Sequence, residues 1–151
     1  MNTRMRTIHV IAYVVAWCAC ASGSQWHTPT ASLGPEEARR TIVRCLSDQP
    51  PEYSAANVVV SPEKLTFDTQ EARTHLVFQK IQINRTTTFY FDSLGEMKAS
   101  AWRTGAIVSV FDAAGVYRFR VVIPDGARAR AFMDSMLVMS LSASGAHQSP
   151  H

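Results

Sequence analysis

The sequence predicts an α+β, mainly β domain: about seven antiparallel strands in a strongly bent sheet or partly open barrel, preceded by one helix and capped by a C-terminal helix. Three observations predict it. Short β-branched and aromatic runs recur between turn signals from residue 57 to residue 123, the spacing of an all-β sandwich or barrel. Residues 106–111 and 116–123 flank Asp112-Ala113-Ala114-Gly115 as a hairpin, and the second run alternates, with Tyr117, Phe119, Val121 and Ile123 on one face. Beyond it, Ala129, Phe132, Met133, Met136, Leu137 and Ser140 fall on one stripe of a helix opened by Asp125.

The 151 residues suffice for a leader and one domain. Residues 1–21 have the three parts of a secretory signal: Arg4 and Arg6, an apolar run from Val10 to Ala16, and the small-residue site Ala19-Cys20-Ala21. The run is too short for a permanent membrane span. Cleavage after Ala21 would release a secreted protein. Alternatively, Trp17-Cys18-Ala19-Cys20 resembles a bacterial lipoprotein signal, which makes Cys20 the lipidation site and ties the protein to the cell envelope. That pattern has an aliphatic residue where this chain has Trp17. Both outcomes export the protein. Residues 22–34 are small and polar, a flexible linker.

The domain runs from residue 35 to 143. Pro35-Glu36-Glu37 starts a helix, with Pro at a first-turn position and carboxylates at the positive end of the dipole. Ala38, Ile42, Cys45 and Leu46 form its apolar face; Arg39, Arg40 and Arg44 point outward as an anionic contact or a solvated face. Asp48-Gln49-Pro50-Pro51 ends it. Strands are expected at 57–60, 64–68, 75–83, 86–92 and 96–103, then at the two runs of the hairpin. Ser61-Pro62-Glu63-Lys64 and Asn84-Arg85 are read as turns, and residues 69–73 as a polar connection. Residues 144–151 are a polar, disordered tail.

Chemistry is sparse. Most carboxylates fall at turns or caps, where Asp is favoured for local reasons, and no pair is placed for acid–base work. His75 is the one histidine within the domain, and no metal-ligand spacing, nucleophile elbow or glycine-rich phosphate loop occurs. No catalytic, cofactor or metal residue is therefore assigned. Cys45, at an apolar helix position, reads as a small buried hydrophobe. Without the two leader arginines the formal charge falls from +3 to +1, which gives no ground for a nucleic-acid partner. Arg118, Arg120 and Arg128 remain as a candidate partner-binding face.

The helix–strands–helix order over residues 56–142 resembles the pleckstrin-homology-like (PH and GRAM) fold of small bacterial exported proteins and lipoproteins. The hairpin, its Asp112-to-Gly115 turn and the helix with Phe132, Met133, Met136 and Leu137 carry the resemblance. It implies a helix plugging one end of a bent sheet. The family's phosphoinositide sites use basic residues at the first strand turn, where this chain has one lysine, Lys64, beside Glu63. The expected function is a non-enzymatic envelope-associated or secreted module that binds a protein or peptide, with strand addition at a sheet edge as one route. The alternative is a small-molecule or lipid binder whose interior is lined by Phe78, Phe89, Phe91 and Phe119.

Overall fold

Pro35 supplies the fixed backbone angle that opens helix α1 (Pro35–Ser47) in the computed structural model, which describes residues 33–74 and 80–146. Glu36 and Glu37 occupy the first turn and Arg44 the last, each matched to the dipole. Ala38, Ile42, Cys45 and Leu46 are buried, the face the spacing predicted. A single 3-10 turn, Pro51–Tyr53, follows.

The strands depart from the sequence expectation. Among the described residues there are six, not seven, and they form two three-stranded antiparallel sheets with no closed barrel; with two helices the class is α+β. Strands β1 (Ala55–Val60), β2 (Lys64–Thr74) and β3 (Lys80–Tyr90) make the first sheet in that order. Strands β4 (Leu94–Trp102), β5 (Gly105–Asp112) and β6 (Tyr117–Ile123) make the second.

Two physical reasons account for the difference. First, the polar stretch 69–73 and the expected turn Asn84-Arg85 lie inside one long ladder, where Thr69 pairs with Arg85 and Gln70 with Asn84. Backbone ladder bonds do not depend on side-chain polarity, so a polar stretch can continue a strand without a break. Strand β1 pairs with β2 only from Leu65 to Thr69, so the outer part of the ribbon has two strands. Secondly, a 3-10 turn (Phe91–Ser93) separates β3 from β4. Its backbone bonds go to two other turns: Phe91 N–H donates to the Glu63 carbonyl at 2.9 Å, and Ala113 N–H donates to Ser93 at 2.8 Å. The chain is thereby anchored at a corner, and β3 and β4 do not pair.

The expected hairpin β5–β6 is present. Gly115 adopts φ +76°, which a side chain would strain, and the Asp112 carboxylate accepts the N–H groups of Ala114 and Val116 at 3.0 and 2.9 Å. On β1, Asn57 takes a positive φ at a bulge, and its side-chain amide donates to Asp68 at 2.8 Å. Thr86 donates to the same carboxylate at 2.6 Å, and these bonds hold the Asp68 pKa below the ordinary carboxylate value.

One core joins both sheets and both helices. Phe119 of β6 meets Phe67 of β2 and Phe89 of β3 edge-on, with centroids 5.3 and 5.5 Å apart. Helix α2 (Gly126–Ala146) is opened by Asp125, whose carboxylate accepts Ala127 N–H at 2.8 Å. It buries Ala129, Phe132, Met133, Met136, Met139 and Ala143, a stripe recurring every three to four residues. Leu137 and Ser140, expected on that stripe, flank it half-buried. Among the described residues no helix is long and apolar enough to cross a membrane.

Candidate functional site

Among the described residues, strand β6 pairs with one neighbour, β5, and its other edge is unpaired. That edge is set by a single side chain. Val122 N–H turns away from β5 and donates to Gln49 Oε1 at 2.9 Å, while Gln49 Nε2 donates to the Leu46 carbonyl at 3.2 Å. Gln49 is 8% exposed, so it closes the edge at Val122. Replacing it with leucine (Gln49→Leu) removes the acceptor and leaves a buried N–H unpaired. The expected loss is about 1–3 kcal/mol of stability. A thermal melt equal to that of the parent protein would contradict this role.

Backbone groups alternate along a strand, so the N–H and C=O of Arg120 face the same open side as those of Val122. Two residues earlier the register shifts: Val110 pairs with Phe119 and Phe111 with Tyr117, leaving Arg118 unmatched as a bulge. A bulge bends an edge strand and re-aims its side chain.

A cleft of about 340 Å³ lies along this edge. Its floor is the inner face of the first sheet, where Phe67 pairs with Thr87 and Thr69 with Arg85. Residues 117–120 of β6 and Glu52, Tyr53 and Ser54 complete its lining. Among the described residues, three arginines, Arg85, Arg118 and Arg120, line it against one carboxylate, Glu52. Arg120 sits over the Tyr53 ring at 5.7 Å, and Tyr53 in turn meets Trp102 edge-on at 6.5 Å. Arg118 lies 3.7 Å from the Asp112 carboxylate, a long ion pair.

Arg118 and Arg120, chosen from the sequence as a partner-binding face, are brought together here. Arg128 is not. Its guanidinium donates to Asp48 at 2.6 Å and ties the start of α2 to the end of α1; that bond holds Arg128 still more firmly protonated. Sequence reasoning missed Arg85, taken for a turn residue. The signal was present in its two-residue spacing to Thr87 and Phe89, which places all three on one face of β3. The arginines of α1 lie elsewhere: Arg39, Arg40 and Arg44 surround Val43 and Val60 in a shallow surface groove, with Arg39 bonded to Glu36 at 2.8 Å. Cys20, His75 and Phe78 lie outside the described residues.

Cys45 is 3% exposed, with its sulfur 3.9 Å from the Arg128 carbonyl, and burial pushes its thiol pKa up. The thiolate is the reactive form. Cys45 should therefore resist iodoacetamide in the folded protein at pH 8 and react once the chain is unfolded in urea. Peptide mapping that finds rapid alkylation of Cys45 itself under native conditions would contradict this burial.

Phe89, Phe91 and Phe119, considered as linings for an internal cavity, are buried among one another in the shared core. Asp112 serves a turn, Asp125 a cap, Asp48 an ion pair and Asp68 a cross-strand bridge. Among the described residues no group of three or more His, Cys, Asp and Glu side chains is arranged to hold a metal ion. No family model, curated protein or solved structure matches this chain.

Proposed function

We propose that the domain is a non-enzymatic module that binds an extended segment of a partner protein as an added strand beside β6. The observation that carries this reading is the open backbone edge at Arg120, set along a cleft of about 340 Å³. An edge strand offers alternating donors and acceptors that any peptide can pair with, and the flanking walls select the side chains. A strand placed there sends alternate side chains toward Phe67 and Thr69 on one face and toward Tyr53 on the other. The volume is at the small end of the roughly 300–1,000 Å³ typical of ligand pockets, which suits a few side chains of a short peptide. The leader pattern of residues 1–21 supports action after export, in a bacterial cell envelope through an acylated Cys20 or as a secreted protein.

Peptide display on the immobilised protein, followed by binding of the selected peptides to two variants, tests the reading. Arg120→Pro removes the outward N–H while sparing the ladder to β5, since proline is tolerated where an edge N–H faces outward. Arg120→Ala keeps that N–H. Selected peptides should lose about tenfold more affinity to the proline variant than to the alanine variant, the worth of roughly one backbone hydrogen bond. Failure to enrich any peptide, or equal binding to both variants, would contradict strand addition.

A further inference from the structure

We infer that the segment added beside β6 is acidic, carrying carboxylates at consecutive central positions; the inference rests on the strand-addition reading. The three arginines reach the cleft from three separate backbone sites. Arg85 stands on the cleft face of β3, Arg118 at the bulge and Arg120 on the next residue but one of β6. A strand lying between those walls sends side chains alternately to both of its faces, so consecutive carboxylates pass guanidinium groups on either side.

The local contacts leave these groups available as donors. Tyr53 supports Arg120 through its ring face, which uses none of the guanidinium N–H bonds. Asp112 spends one oxygen on the backbone N–H groups of Ala114 and Val116, and its other oxygen is 3.7 Å from Arg118, beyond ordinary hydrogen-bond length. Among the described residues, Glu52 is the one carboxylate in the lining. The edge also favours a peptide over other polyanions. Its outward carbonyl at Arg120 needs an N–H donor, which a peptide supplies and a phosphate chain does not.

Three end-blocked heptapeptides test the inference by fluorescence anisotropy on the full chain: three central glutamates, glutamines or lysines, each flanked by two threonines on either side. At 50 mM salt the glutamate peptide should bind about tenfold or more tightly than the glutamine peptide. That advantage should shrink at 300 mM salt, as screening of partly exposed charges requires. Arg85→Glu should abolish it, and Glu52→Gln should enlarge it. Equal affinity for the glutamate and glutamine peptides would overturn the acidic preference and leave strand addition standing. Displacement of the glutamate peptide by tripolyphosphate at equal charge concentration would overturn the assignment of a peptide. If none of the three binds while display-selected peptides still depend on the Arg120 N–H, the inference fails and the reading beneath it survives. If the selected peptides ignore that N–H as well, both fail.

Discussion

Phe132→Ala should lower the free energy of unfolding by about 3–5 kcal/mol. The ring is fully buried on the inward stripe of α2, between Ala129 and Met136 along the same face. Truncation removes apolar area and leaves a cavity that a helix pinned at Asp125 and packed against α1 cannot close easily. Domains of this size are stable by only about 5–15 kcal/mol, so a large share of the total is at stake. Urea unfolding followed by tryptophan fluorescence measures the loss. An unchanged midpoint would show that α2 is not docked through this ring.

Phe119→Ala should cost a comparable amount, again about 3–5 kcal/mol, for a different reason. The ring of Phe119 on the second sheet is edge-on to both Phe67 and Phe89 of the first. Each such aromatic pair contributes roughly 0.5–1.5 kcal/mol beyond its buried area. Among the described residues no ladder joins the sheets, and they share one core of buried side chains. Phe119 also lines the cleft, and its loss should broaden the site as well as weaken the fold. A control at Phe111, partly exposed and edge-on to Tyr117, should cost much less. Equal losses at the two positions, read from urea midpoints, would contradict the bridging role of Phe119.

Features set by neighbours in sequence were the legible ones. The Asp112-to-Gly115 turn follows from a carboxylate that bonds its own backbone and a glycine at positive φ. The buried face of α1 and most of that of α2 follow from the helical period. The sequence reading traces the stripe through Leu137 to Ser140, whereas the buried face steps from Met136 to Met139 and continues one more turn to Ala143. The count and closure of strands were not legible, because they depend on pairings between distant residues. Nothing in Asn84 or Arg85 distinguishes an exposed ladder position from a turn, and nothing in Phe91, Asp92 and Ser93 announces a corner bonded to Glu63 and Ala113.

The same distinction holds at the cleft. Arg118 and Arg120 were found together because they are two apart on one strand. Arg85 comes from the other sheet and joins them only through the packing of Phe67 and Phe89 on Phe119. Arg128 is near them in sequence and separate in space, because a helix carries it toward Asp48. Gln49 carried no functional signal at all. Its role is visible only once its side chain is seen to cap the N–H of Val122, 73 residues away.

Amide hydrogen exchange at β6, with and without the glutamate heptapeptide, tests the open edge most directly. In the free protein Arg120 should exchange rapidly, while Val122, bonded to Gln49, and Val121, turned toward β5, stay protected. Peptide should slow Arg120 and leave the other two unchanged. An Arg120 amide already protected in the free protein, or one that still exchanges at the free rate with peptide bound, would contradict the added strand.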